Sequence, residues 1–310
     1  MRVFVTGASG HIGSAVVSQL LEAGHAVVGL ARSDASAAAL TAAGATIQRG
    51  DLDDLAGLQD AAAAVDGVIH LAFKHDVAFT GDYAGAAAAD LRAVEAIGAA
   101  LESSGKPFVI TSGTLLLAMA ARGRVGTEQD GLDHGPRVDS ENAAIALAKR
   151  GVRSSVIRLA PTVHSALDHH GFVPTLITLA RKNGVAAYVG DGSNRWPAVH
   201  TLDAARLYRL ALEAAPAGSR LHGAADEGVP FRAIAEAIGR GLGLPAVSIT
   251  AEDAAQHLGF LAAFAQLDNP TSSAHTQTLL GWQPTHPGLL ADLAERHYFE
   301  LSQSAPSKAR

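Results

Sequence analysis

A strand-like run, RVFVT (2–6), passes straight into TGASGHIG (6–13), and a helix-like stretch follows as far as Gly24. This juncture constrains the fold more than any other part of the chain. Gly7 permits a tight turn, Gly10 lets backbone approach a bound anion, and Gly13 lets the helix lie close to the sheet. The helix start offers unpartnered N–H groups and a partial positive charge, which suits a pyrophosphate. With Ser9, His11 and Ile12, these glycines form a candidate dinucleotide-binding loop. A plain glycine turn is the alternative.

The rest of the first half repeats the same rhythm. Strands are expected at HAVVGL (25–30), ATIQRG (45–50), GVIHLAF (67–73), PFVITSG (107–113) and VRSSVIRLAP (152–161), with Ala-rich helical stretches between them, the longest at 82–102. Strands that are apolar nearly throughout and alternate with helices imply a parallel sheet covered on both faces. The expected class is α/β, a Rossmann-type doubly wound parallel sheet with a smaller C-terminal substrate lobe. Residues 1–161 form the dinucleotide-binding domain, with returns from about 196–215, and 162–310 mostly the interleaved lobe. Helices are expected at 172–184 and 201–215, strands at 185–190 and near 246–250, and a frayed polar tail at 301–310.

Composition removes several function classes. The net charge is -6 and no basic cluster stands out, which argues against nucleic-acid binding. There is no cysteine, so disulfides and thiolate metal sites are excluded. No apolar run reaches about 18 residues, so no membrane span is expected. The first strand begins at Arg2, leaving no room for a leader, and the reading is cytoplasmic. HSALDHH (164–170) is rich in histidine, but no HExxH-type spacing occurs and no metal is expected.

The second strand tests which dinucleotide is bound. An acidic residue at its end would accept a ribose 2′-hydroxyl, but here Arg32 and Ser33 follow Ala31. A guanidinium fork and a hydroxyl suit a 2′-phosphate, so NADP is expected ahead of NAD. Asp34 reads as the N-cap of the next helix.

Taken together, several segments resemble the extended and atypical short-chain dehydrogenase/reductases, the group that includes the NAD-dependent epimerase/dehydratase-like proteins. TGASGHIG matches their glycine signature. GDLDD (50–54) is similar to their adenine-contacting pair, here Asp51 and Leu52. HLAF (70–73) sits where they line the cofactor, implying contacts from Leu71, Ala72 and Phe73. TSG (111–113) occupies their active-site position, implying roles for Thr111 and Ser112. RLAPTVH (158–164) is similar to the segment passing the nicotinamide, here Pro161 and Val163. WPAVHTLDAAR (196–206) and LLGWQPTHP (279–287) resemble late landmarks.

The resemblance breaks at the catalytic pair. The family moves protons with a tyrosine and a lysine at Tyr-x-x-x-Lys spacing. The tyrosines here are 83, 188, 208 and 298, and four residues on stand Ala87, Gly192, Leu212 and Ser302. Many members carry a glutamate four residues after the lysine. If Glu141 is that residue, Arg137 takes the lysine site and Asp133 the tyrosine site. Arg137 could hold the nicotinamide ribose, but a guanidinium does not give up its proton near neutral pH. The segment 133–151 then reads as the family's catalytic helix, capped at Asp139 or Ser140 and closed by Gly151.

The remaining chemistry must come from other side chains. Ser112 can orient a substrate oxygen from the end of strand five, with Thr114 a weaker candidate beside it. His134 and His75 are the candidate proton carriers. Lys74, His164, Asn194 and Trp196 are candidate substrate contacts, each with a bland alternative: a solvated loop for Lys74 and His164, core packing for Trp196. His200 and Asp203 are expected to brace the following helix. No Gly-x-Ser-x-Gly elbow supports a serine hydrolase. The leading expectation is an NADP-dependent oxidoreductase acting on a small carbonyl-type molecule. A non-catalytic NADP-binding sensor and an epimerase, dehydratase or lyase are the alternatives. The resemblance also implies a homodimer paired through helices near 82–102 and 137–150.

Overall fold

Seven short strands meet edge to edge; the inner ones are buried on both faces, and only neighbouring strands can satisfy their backbone. A computed structural model describes residues 1–120 and 123–300; the tail 301–310 lies outside the described residues. The first half runs β1 (Arg2–Thr6), α1 (His11–Glu22), β2 (Ala26–Ala31), α2 (Asp34–Ala42), β3 (Thr46–Arg49), α3 (Leu55–Ala63), β4 (Gly67–His70), α4 (His75–Phe79), α5 (Tyr83–Leu101), β5 (Pro107–Gly113), α6 (Leu117–Ala120), α7 (Val138–Ala146) and β6 (Arg153–Leu159). The second half runs β7 (Thr162–His164), α8 (Phe172–Asn183), β8 (Ala186–Val189), β9 (Arg195–His200), α9 (Thr201–Ala214), β10 (Ser219–Gly223), β11 (Asp226–Pro230), α10 (Phe231–Leu242), β12 (Ala246–Ile249), α11 (Ala254–Leu258), α12 (Ala274–Leu280) and α13 (Leu289–Asp292).

The central sheet has the order β10-β6-β5-β4-β1-β2-β3 and is parallel throughout. It is the expected Rossmann-type doubly wound α/β fold. On one face Val16, Val17 and Leu20 of α1 and Leu207, Tyr208 and Leu212 of α9 pack against Val3, Val5 and Ile69. On the other, Leu58 of α3, Val94 and Ile97 of α5 and Ala144 of α7 pack against Phe4, Val68, Phe108 and Ile110. A separate core joins α8, α10 and α11 to β8, β9 and β11 around Trp196, Phe231 and Ile234. Among the described residues no helix is long and apolar enough to cross a membrane.

Several boundaries differ from the sequence reading for identifiable reasons. The expected strand 152–161 is two strands: β6 stops at Leu159, and β7 joins β9 in a three-stranded sheet. Pro161 lies between them and has no N–H for a ladder, so the chain leaves the central sheet there. The return to that sheet runs through α9 and β10, to Gly223, whereas β9 stays with the lobe. Ser33, not Asp34, caps α2: its hydroxyl accepts from Ser36 N–H in a capping box, and Asp34 binds Arg49 at 2.6 Å. Neither Asp139 nor Ser140 caps α7, because Arg137 stands at its N-cap with φ 65°. Gly151 does close the segment, at φ 73°.

A buried ion cluster fixes α7 against the sheet. Glu141, 2% exposed, accepts from Nε and Nη2 of the fully buried Arg158 on β6 and from Nε of Arg220 on β10. Burial opposes the charge of Glu141, but Arg158 and Arg220 hold its pKa below the usual carboxylate range. Arg158 also donates to the Asp130 carbonyl at 2.7 Å. Glu141→Ala should cost about 3–5 kcal/mol, since it strands a buried cation. Urea denaturation measures this, and an unchanged midpoint would refute the account.

Candidate functional site

The glycine loop is a cradle that only glycine can build. Gly7 has φ 67°, and a Cβ there would lie 2.8 Å from the Ala72 nitrogen. A Cβ on Gly13 would lie 2.0 Å from the Gly7 carbonyl oxygen. Gly10 caps α1 with no side-chain hydrogen bond, and no acidic residue occupies the first turn. The helix N-terminus is therefore left to backbone N–H groups, with Ser9 exposed and His11 and Ile12 half-buried around it. These residues fit a dinucleotide pyrophosphate.

At the adenosine end, Arg32 lies 3.8 Å from Asp76, and both side chains are 69% exposed. Such a pair is loose and strongly screened. Ser33 is engaged in its capping box and so is not a free donor. Asp51 uses Oδ1 to accept from the backbone N–H groups of Asp53 and Asp54, shaping the turn into α3, and Leu52 is buried in the core.

Beneath the loop lies a polar seam that the sequence reading missed. Thr6 Oγ1 accepts from Ala72 N–H at 3.2 Å and is 2.8 Å from His70 Nδ1. His70 Nε2 is 3.2 Å from Asp90 Oδ1 on α5. Thr111 Oγ1 donates to the His70 carbonyl at 2.9 Å and is 2.8 Å from the Tyr208 hydroxyl on α9. The tautomer satisfying all of these has its proton on His70 Nε2. Burial opposes the charge on Asp90, while Arg137 and then His70 hold its pKa down. The available signal was polar residues at the ends of apolar strands: Thr6 and His70 are register partners.

Arg137 dominates the far end of the cleft. Its guanidinium donates to the Thr111 carbonyl and lies 4.3 Å over the Phe73 ring. Phe73 meets His75 edge-on at 5.1 Å and Tyr83 at 6.0 Å. Burial, then the charge of Arg137, pushes the His75 pKa below its ordinary value, so the imidazole is neutral at pH 7. Ser112 is 4% exposed, and its hydroxyl has no hydrogen-bond partner among the described residues. Thr111, Ser112, Arg137, Phe73 and His75 thus come together at the ends of β4 and β5. Leu71 and Ala72 run beside the loop, with Leu71 N–H donating to Thr6.

Other expected contacts go elsewhere. His134 is 91% exposed beside Asp139, in the turn through Gly135 and Pro136, and does not serve the cleft. Lys74 is paired with Asp53. Thr114 is fully buried and accepts from Asn269 Nδ2. Asn194, half-buried, donates to the Ala265 and Leu267 carbonyls, and Trp196 is fully buried in the lobe core with Nε1 donating to the Phe264 carbonyl, so the N–H groups of both are spent within the lobe. Val163 is buried in the main core, and Pro161 sits at the exit of β6. His164 is buried on β7, 2.8 Å from Asp292, and 165–170 is not helical. His200 does brace its helix, accepting from Leu202 N–H. Asp203 instead grips the Thr285 and His286 backbone. Among the described residues no cluster could hold a metal.

The loop is also tied to the lobe. His11 Nε2 is 2.7 Å from Thr201 Oγ1, and Nδ1 is 3.7 Å from Asp168. Burial lowers the His11 pKa to about 4, and burial lowers His200 and His222 to about 4 as well. Unfolded, each takes a proton near pH 6.5, so stability is lost as pH falls through that value toward 4. Asp168, raised by burial from 3.8 to about 6, works in the opposite direction. His75, also lowered by burial, joins the three histidines, so with four groups against one the melting temperature should drop by several degrees between about pH 6.5 and 5; thermal melts that rise or stay level over this range would contradict it. Gly13→Ala should weaken NADP and NAD binding at least about tenfold by crowding the cradle, as read by calorimetric titration.

Comparison with known proteins agrees with this geometry. The family model described as the NAD dependent epimerase/dehydratase family matches residues 3–222. An uncharacterized protein of Schizosaccharomyces pombe is 50% identical over 301 residues, covering 96% of this chain and 100% of its own. A 2-alkyl-3-oxoalkanoate reductase of Stenotrophomonas maltophilia is 28% identical over 260 residues, covering 80% of this chain and 77% of its own. Among solved structures, the dTDP-glucose 4,6-dehydratase DesIV of Streptomyces venezuelae superposes with a TM-score of 0.76 at 20% identity, covering 96% of both chains. That similarity is one of fold. The glycine cradle, the seven-stranded sheet and the extent of the matches lead to one statement: the chain belongs to the NAD-dependent epimerase/dehydratase family.

Proposed function

We propose that the protein is an NADP-dependent oxidoreductase that interconverts a small carbonyl compound and its alcohol without a Tyr–Lys pair. The observation that carries this reading is Ser112: a buried hydroxyl with no partner among the described residues, near the C-terminal end of β5 and next in sequence to Thr111, whose carbonyl accepts from Arg137. A buried donor left unsatisfied is costly, so such groups call for a functional explanation. The name of the Stenotrophomonas relative, a reductase of an oxoalkanoate, supports the same class.

The cradle of Gly7, Gly10 and Gly13 with the α1 N-terminus would hold the pyrophosphate, Arg32 the 2′-phosphate, and Leu71, Ala72 and Phe73 the nicotinamide half. Bound there, the nicotinamide supplies or accepts the hydride. Ser112 donates to the substrate oxygen and fixes its orientation. Arg137 keeps positive potential where negative charge develops on that oxygen. Neutral His75 accepts the alcohol proton in the oxidising direction and returns it in the other. The weak Asp76 contact leaves Arg32 able to turn to a phosphate, which favours NADP. The substrate is a small molecule, and we propose a cytoplasmic homodimer.

A panel of aldehydes, ketones and alcohols tests this by following coenzyme absorbance. Turnover with NADPH is expected, and Ser112→Ala should lower kcat/KM by about 100-fold or more. Coenzyme binding with no oxidation across the panel would favour a sensor; turnover with no net coenzyme change would favour an epimerase or lyase. Arg32→Ala should raise the Kd for NADP about 10-fold or more and leave that for NAD unchanged. In alcohol oxidation kcat/KM should fall as pH drops through the His75 pKa, below 6.5, and His75→Gln should remove that limb.

A further inference from the structure

Arg137 is held as a presented cation rather than as a packing residue. It is one of two non-glycine residues with positive φ among the described residues. An L-residue rarely adopts that conformation, and such residues cluster at active sites and ligand clamps. The turn of backbone sends the side chain back over the sheet end, where Thr111 takes one N–H and Phe73 supports the plane. A guanidinium has five N–H donors. No carboxylate lies within ion-pair distance of this one among the described residues. Asp90 feels its charge but is hydrogen-bonded to His70 instead. The contrast with two other arginines is informative: Arg158 on β6 and Arg220 on β10 share Glu141 of α7.

The placement relative to Ser112 adds a spacing limit. The carbonyl that Arg137 grips belongs to Thr111, and Ser112 is the next residue, with Cα atoms of adjacent residues only about 3.8 Å apart. Two groups of one molecule held by these anchors must therefore lie close together along it, whatever the length of the rest. The planar fork matches a carboxylate and gains little from a neutral ribose hydroxyl.

We propose that Arg137 is the carboxylate anchor of the site and that the substrate is an oxo acid whose carbonyl lies one or two carbons from the carboxylate. Ser112 takes the carbonyl oxygen and Arg137 the carboxylate. In reduction the carbonyl carbon gains a hydride from the nicotinamide, the C=O π bond opens, and the oxygen takes the proton that His75 returns, leaving a hydroxy acid. This inference rests on the oxidoreductase reading for its turnover, but the anchor itself can be tested by binding.

The test pairs each acid with its neutral form: pyruvate with methyl pyruvate, and acetoacetate with methyl acetoacetate. The wild-type enzyme should prefer the acids by about 30-fold or more in kcat/KM, and R137Q should bring acid and ester to within about threefold, chiefly through KM. R137K should keep part of the preference, because it keeps the charge and loses the fork. Thermal melts establish that the variants are folded. Independently of turnover, calorimetry with NADP⁺-saturated protein should show acetoacetate binding weakened at least about tenfold in R137Q. Arg137-dependent binding with no coenzyme oxidation on any carbonyl would preserve the anchor and defeat the oxidoreductase reading. Equal loss for acids and esters, a weakened NADP Kd in R137Q, or neutral ketones reduced as well as acids would overturn the anchor and leave that reading standing.

Discussion

Glu141 holds two arginines from two strands, and the geometry of the cleft depends on that carboxylate. It joins α7 to β6 through Arg158 and to β10 through Arg220. The pairing with Arg158 is bidentate, which fixes direction as well as distance. A buried ion pair is a poor source of net stability, because desolvation offsets most of the attraction. Its value is positional. An apolar contact would tolerate α7 sliding by a fraction of a turn, whereas this cluster does not. Arg137 lies four residues before Glu141 and therefore inherits its register.

The polar seam beneath the glycine loop extends that fixed frame. Thr6, His70 and Thr111 stand at the ends of three adjacent strands and are joined by hydrogen bonds, with Asp90 and Tyr208 closing the ends from opposite faces. The floor under the cofactor cradle is thus connected on both sides to helices that pack on the sheet. Tyr208 is spent here: burial pushes its pKa up, and its hydroxyl belongs to Thr111. It contributes to the floor rather than replacing the missing family tyrosine.

The fold was legible because its signals are local and repeated. The first six expected strands are short runs between helices, and the loop of Gly7, Gly10 and Gly13 sets the first crossover, so class follows from pattern; β10 was not expected, because SRLHG is mostly polar. Boundaries failed where one residue outweighed the pattern, as Pro161 did in dividing 152–161. The site was legible only in part. Ser112 and His75 follow the β5 and β4 positions that strand ends in an open α/β sheet bring together, and Arg137 reaches them from the start of α7 through Thr111 and Phe73. Asn194, Trp196 and Thr114 do not, because their polar atoms are satisfied by carbonyls and side chains far along the sequence, partners that no local pattern reveals. His70 and Asp90 went unnoticed for the same reason: twenty residues separate them, and only the packing of α5 on β4 makes them a pair.

The place of β10 in the sheet has a consequence for how the molecule is made. This outermost strand comes from residues 219–223, pairing with β6, which ends some sixty residues earlier. While the chain is still emerging from the ribosome, β6 therefore waits as an open edge whose Val156 and Ile157 are fully buried in the finished protein. Its Arg158 waits too, with Glu141 and the Asp130 carbonyl for partners until β10 brings His222 beside it and Arg220 to share Glu141. The lobe sequence must pass before the sheet can close, so the chain spends its synthesis with an adhesive edge exposed. A fragment cut at the apparent lobe boundary would keep that edge permanently, and a free-standing dinucleotide-binding half is not a unit this chain can shed.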